Sequence, residues 1–242
     1  MKLPTKIQIS CAVAVVAVAS MFTGCDSALS DVEITDPSLL QTHFVVERSL
    51  QHDGSVLESL RANIFDKNLA SVELKNGHIK VNGEQMSETE ILNISTYHIP
   101  GADVELNTQY EFELVLANGN VHKGIVTTQP KAFTALVVPA DPAVDSDMTI
   151  SWQDTYVHDD LIVSISLTTA SGSVPGPTFT MTDEQMEAGT FTIPKSAFAT
   201  PQGVTGATIT LAGAKYGTID PKFRTGSATI SRMRVEKKVT FK

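Results

Sequence analysis

The 242-residue chain carries 18 basic and 27 acidic residues, a net charge of −9 at neutral pH, and only two cysteines. That acidity argues against nucleic-acid binding, because phosphate contacts need clustered Lys and Arg. Both cysteines fall within the first 25 residues, so the remainder has no disulfide framework, no thiol catalysis and no Cys-type zinc site.

The chain opens on Lys2 and Lys6, runs through an apolar stretch from Ile7 to Phe22, and reaches Phe22-Thr23-Gly24-Cys25. Charge, apolar run and small residues in that order form a secretory signal. The stretch is shorter than the ~20 apolar residues a spanning helix needs, and it contains Gln8 and Ser10. Ala17-Val18-Ala19 offers an ordinary cleavage site that would release a soluble protein. The segment ending at Cys25 resembles a bacterial lipobox, with Phe22 where that family usually has Leu. The resemblance implies cleavage after residue 24, lipid attachment at Cys25, and a protein tied to the bacterial cell envelope outside the cytoplasm, at an undetermined membrane. The leader holds two of the basic residues and no acidic one, so the processed chain has a net charge of −11. That charge favours solubility and keeps the body off anionic lipid.

Residues 25–38 are polar and acidic and read as a tether, with Val32 and Ile34 placed to dock as an edge strand. From 39 to 129 the pattern is strands joined by tight turns. Asn76-Gly77 predicts a two-residue hairpin pairing Leu74 with Ile79 and Val72 with Val81, with Glu73 opposite Lys80. Asn82-Gly83 offers a second turn that would bring Met86 beside Ile79. Residues 56–65 fit a strand or a helical face, and the surrounding pattern favours strand. Tyr110, Phe112, Leu114 and Leu116 alternate with polar residues, turn at Asn118-Gly119-Asn120 and return through Val121 to Thr128.

Prolines 130, 139 and 142 suggest a boundary near residue 130, with a second domain over 130–242. There Met148, Ile150 and Trp152 alternate, and Trp152 reads as core. Leu161, Val163, Ile165 and Leu167 form the cleanest strand. Asp183 to Glu187 fits one helical turn closed by Gly189. Further strands follow around Phe179, Phe191, Ile209, Thr229–Val235 and Val239. Arg232, Arg234, Lys237, Lys238 and Lys242 make the last strands basic, as expected of an exposed sheet edge that resists pairing or of a docking patch for an acidic partner.

Short strands at this spacing predict an all-β protein with two immunoglobulin-like β-sandwich domains in tandem. Leu106-Asn107-Thr108-Gln109-Tyr110 resembles the strand entry of fibronectin type III domains, where the tyrosine bonds back across a corner. Thr127-Thr128-Gln129-Pro130 is similar to the end of such a domain, and Asp147 to Trp152 to its early tryptophan strand.

No motif commits the chain to catalysis: there is no Gly-x-Ser-x-Gly, no His-Glu-x-x-His and no phosphate-binding glycine loop. Asp141, Asp145 and Asp147 are weak calcium candidates without a calcium-loop pattern. Tyr156, His158 and Tyr216 are the tentative ligand-facing residues. No cofactor is expected. The resulting expectation is a non-enzymatic binding, scaffolding or accessory module with a membrane lipid anchor and an envelope protein or glycan as partner. A glycan-binding role predicts an exposed Tyr156 or Tyr216 beside a groove. An enzyme with a composite site predicts His158 and Asp160 converging in a cleft.

Overall fold

The computed structural model describes residues 29–30, 32–91, 94–131, 133, 135–153, 158–199 and 203–242. The described chain is all-β, with one short α-helix, α1 (Asp183–Ala188), and two 3-10 turns at Pro37–Leu39 and Lys195–Phe198. Its strands are β1 (Gln41–Leu50), β2 (Val56–Phe65), β3 (His78–Val81), β4 (Glu84–Gln85), β5 (Ser87–Ile91), β6 (Ile94–His98), β7 (Gln109–Val115) and β8 (Val121–Thr127) in the first half. The second half has β9 (Leu136–Val137), β10 (Met148–Trp152), β11 (Asp160–Thr169), β12 (Gly172–Thr180), β13 (Thr190–Ile193), β14 (Val204–Tyr216), β15 (Thr218–Ile219) and β16 (Ala228–Thr240).

Eight strands form one sheet in the order β12-β11-β14-β16-β1-β2-β6-β5. One face of this sheet is shared by two β-sandwich cores. The five-stranded sheet β15-β8-β7-β3-β4 packs over the β1–β2 end, and the three-stranded sheet β13-β10-β9 over the β11–β14 end. The first core includes Phe44, Val46, Ile64, Ile79, Phe112 and Leu114. The second includes Trp152, Leu161, Val163, Ile209, Leu211 and Met233. Trp152 is buried, as its alternation with Ile150 and Met148 predicts.

The join between the halves is a parallel pairing of β1 with β16, from His43 opposite Ala228 to Leu50 opposite Val235. β16 therefore lies between β14 and β1. Arg232 and Arg234 do not lie on a sheet edge, which corrects the edge reading for them; the β1 pairing stops at Val235, so Lys237 and Lys238, exposed, pair with β14 alone. Between β14 and β16 the chain crosses to the first core. Ile219 pairs with Gly124, Phe223 is buried there, and the His122 imidazole lies 2.8 Å from the Asp220 carboxylate. Gly124 permits this packing, because a Cβ at that position would strike Thr229 and the Phe44 ring.

The β7–β8 hairpin, the β2 strand and the Gly189-capped turn follow the sequence pattern. The Asn76-Gly77 hairpin does not. Residues 72–75 are held instead by Val72 N–H on Ile64 O, by Leu74 N–H on the Tyr97 hydroxyl and by a bridge from Lys75 to Glu33. Ile79 and Val81 pair with Leu114 and Phe112. The hairpin forms one turn later, at Asn82 (φ 48°) and Gly83 (φ 85°), and Met86 N–H bonds Ile79 O as that turn predicts.

The outer strands of the eight-stranded sheet resist further pairing. β12 carries Pro175 and Pro177, and β5 carries Glu88 and Glu90. The N-terminal approach docks through Ile34, which is buried in the first core, while Val32 is exposed. No helix among the described residues is long and apolar enough to cross a membrane.

Candidate functional site: the open face of the eight-stranded sheet

Strand alternation sends every second residue of the eight-stranded sheet away from both cores. Register then places these outward residues in rows. One row runs Asp160, Ala214, Arg232, Glu47, Ser59 across β11, β14, β16, β1 and β2. The next runs Ile162, Ala212, Arg234, Ser49, Leu57. On β11 and β14 the outward residues are mainly small, including Ser164, Ser166, Thr208, Thr210, Ala212 and Ala214. Charge gathers on β16, β1 and β2.

Glu47 is the centre of that charge. Its Oε2 accepts from Arg61 Nη2 at 2.7 Å and faces Arg232 Nη1 at 3.7 Å. Its Oε1 accepts from Arg234 Nη1 at 3.2 Å, and Arg234 Nη2 is 3.7 Å from Glu236. The Glu47 side chain is only 10% exposed, whereas the three arginine side chains are 35–40% exposed. The chain has five arginines, so three of them converge on one carboxylate. Arg48, on the covered side of β1, pairs with Glu58 and donates to Val104 O at 3.0 Å.

Beside this cluster lies a concavity of about 310 Å³, lined by Glu47, Ser49, Gln51, Leu57, Glu58, Ser59, Arg61, Arg234 and Glu236. Gln51 Nε2 donates to Ser49 Oγ at 2.7 Å. Leu57, 59% exposed, supplies the apolar part of the lining. A larger cleft of about 670 Å³ lies in the second half between Val144, Phe198 and Val204, with Asp145 and Lys195 in its lining.

Tyr216 reaches the same open face. It is exposed, its hydroxyl donates to Asp160 Oδ2 at 2.6 Å, and its backbone N–H donates to Asp159 Oδ2 at 2.6 Å. The bond to Asp160, followed by partial burial, raises the phenol above its ordinary range. His158 points elsewhere. It is buried, stacks on Phe133 at 5.0 Å, and fills the space that a side chain on Gly213 would need. Burial lowers its pKa, and neither ring nitrogen has a hydrogen-bond partner among the described residues. Asp160 is thus bonded to Tyr216, and His158 does not converge with it on a cleft. Tyr156 and Cys25 lie outside the described residues.

The three aspartates do not come together on one ligand. Asp141 pairs with Lys242 at 2.8 Å, Asp147 accepts from Lys195 N–H at 2.8 Å, and Asp145 lines the larger cleft. Among the described residues no group of three His, Cys, Asp or Glu is placed to hold a metal ion. The tyrosine corner is present: Glu105 N–H donates to the Tyr110 hydroxyl at 2.9 Å, and burial raises that phenol.

Sequence reading found Arg232 and Arg234 but not Glu47 or Arg61. The available signal was a carboxylate closing an apolar run, Phe44-Val45-Val46-Glu47, with Arg48 next to it pointing to the other face of the strand. A carboxylate there needs a cationic partner, although the sequence does not name it.

No protein-family model and no curated protein matches the sequence. Among solved structures, the Yersinia pseudotuberculosis adhesin InvE aligns at 12% identity with a TM-score of 0.25, covering 84% of this chain and 60% of that one. The FN1–FN3 domains of chicken CNTN1 align at 9% identity with a TM-score of 0.29, covering 85% of this chain and 65% of that one. The chain thus spans less than two thirds of the length of either structure.

Proposed function

We propose that this protein is a lipid-anchored, extracytoplasmic and non-enzymatic binding module, and that it presents the open face of its eight-stranded sheet to a partner in the bacterial envelope. The observation that carries this reading is the gathering of three of five arginines around one mostly buried carboxylate on a face that neither smaller sheet covers. Holding three guanidinium groups together costs mutual repulsion that one glutamate only partly offsets. A surface built for solubility alone would spread them.

The anchor reading rests on the leader pattern ending at Cys25. Roughly nine residues separate Cys25 from the docked Ile34, at most ~30 Å of extended chain. Such a tether holds the first core close to the bilayer, and an acidic body is repelled by anionic headgroups. Two acyl chains would make the attachment durable.

The test has two arms. Cys25→Ala should move the protein from the membrane to the soluble fraction; unchanged retention overturns the anchor. The processed chain has no other cysteine, so single-cysteine probes report one site each. Ser59→Cys on the open face should react more slowly with a membrane-impermeant thiol reagent on intact envelopes than in purified protein. Val121→Cys, on the exposed side of β8, should react equally in both. Equal labelling of Ser59→Cys in the two settings overturns the binding face.

A further inference from the structure

We infer that the uncovered edge of β16 beyond Val235 is a strand-addition site for an extended acidic segment of a partner protein. This rests on the binding-face reading above and names the partner's chemistry and its mode of docking. The first support is register. β14 pairs with β16 as far as Thr240, whereas the β1 pairing stops at Leu50 opposite Val235. β1 then turns away, with Gln51 N–H on Ser55 O and Gly54 N–H on Gln51 O. Among the described residues no strand takes its place beside the end of β16. Just past the strand, Lys242 N–H bonds Pro142 O at 3.2 Å.

Alternation fixes which backbone groups remain. Phe241 N–H bonds Thr205 O, so the odd-numbered residues at this end of β16 turn their N–H and C=O groups toward β14. Those of Lys238 and Thr240 point the other way, past the end of β1. They form a short template for a further strand of about four residues.

Charge decides which strand fits. Lys237 and Lys238 are exposed, and neither has an ion-pair partner among the described residues. Their side chains leave opposite faces of the sheet, with Lys238 on the open face beyond Arg234. Lysine on a free edge turns most strands away. A strand with carboxylates at two successive positions is admitted, because each carboxylate then stands opposite a lysine on its own face. The same sign continues across the open face, where Arg232 and Arg234 are more exposed than Glu47 and Glu236, the carboxylates that pair them. The chain as a whole carries a net charge of −9, so this edge is where an acidic segment meets least repulsion.

The experiment is a titration of the isotopically labelled full chain with the peptide acetyl-Thr-Val-Glu-Glu-Val-Thr-amide and with its counterpart carrying glutamine at both glutamate positions. Backbone amide signals are the readout. The acidic peptide should shift the Lys238 and Thr240 signals saturably, slow their hydrogen exchange, and bind more weakly as salt is raised. The glutamine counterpart should bind about tenfold or more weakly. The double variant Lys237→Glu, Lys238→Glu, at exposed positions, should weaken the acidic peptide by a similar factor. Lys67→Glu, exposed beyond the opposite end of β2, should leave it unchanged. N-methylation of both peptide glutamates removes whichever of the two N–H groups faces β16, and should abolish the shifts. Equal binding of the glutamine counterpart, or an unchanged affinity in the double variant, overturns the acidic partner. Undiminished binding of the N-methylated peptide overturns strand addition. If no peptide shifts these signals while Ser59→Cys remains protected on envelopes, the strand-addition inference fails and the binding face stands. If that protection is absent as well, both fail.

Discussion

The two faces of the eight-stranded sheet use the same backbone for opposite purposes, and β1 displays both within four residues. Phe44 points into the first core, fully buried and stacked on Phe112 at 4.8 Å. Glu47 points the other way, nearly as buried, and satisfies its charge with arginines from β2 and β16. Burial on the covered face comes from the sheets packed over it. On the open face it comes from neighbouring side chains within the same sheet. The first arrangement stabilises through apolar area. The second holds a charged cluster in position at the cost of desolvation.

Phe44→Ala should therefore have the largest effect. It removes an aromatic that contacts both Phe112 and Phe223, and should cost about 3–5 kcal/mol. Urea unfolding followed by far-UV circular dichroism measures it. A loss no larger than that caused by open-face substitutions would erase the distinction between the faces. Glu47→Gln should come next, at about 1–3 kcal/mol, because the arginines lose their common counter-charge while remaining partly solvated. Its destabilisation should shrink in high salt, which screens repulsion among the arginines. The Phe44→Ala loss should not shrink in that way.

Much of this architecture is legible in the sequence. Alternation locates β7, β8, β10 and β11, and the Tyr110 corner follows from its local segment. The sharing of one sheet by both halves is not legible. The parallel β1–β16 pairing joins residues some 185 positions apart, and neither strand's own pattern names its neighbour. The same ignorance of partners made Arg232 and Arg234 read as edge residues and hid Glu47 and Arg61. Gly77 misled for another reason. Its place in the fold is close packing, since a Cβ there would lie 2.8 Å from Val115 O; Asn76 has positive φ (55°) but Gly77 does not, and the pair with positive φ at both positions is Asn82-Gly83.

The buried histidines sharpen the comparison through pH. His122 has the Asp220 carboxylate beside it, whereas His158 has no hydrogen-bond partner among the described residues. Burial lowers the His158 pKa from 6.5; the charges nearby are Asp159, which opposes the shift, and Lys215, which reinforces it. Below pH 6.5 the unfolded chain takes up a proton that the folded chain resists, so this group's stabilising contribution is full above that pH and declines as pH falls toward the folded pKa. His158→Phe, which preserves an aromatic on Phe133, should flatten the dependence of unfolding midpoint on pH below 6.5. An unchanged slope would show that His158 does not set it.

The smallest effect should be Thr208→Val on the open face. Both side chains are β-branched and suit a strand, and Thr208 sits opposite Ser166 and Lys238 rather than beneath a second sheet. Its removal of one hydroxyl from a half-buried, solvent-facing position should alter stability by no more than about 0.5 kcal/mol. A larger loss would mean that the small polar residues of β11 and β14 form part of the fold's support. A value near zero would leave their contribution to a level, uncovered surface as the reason this face is built from short side chains, while the opposite face of the same strands is built from Leu, Ile and Val.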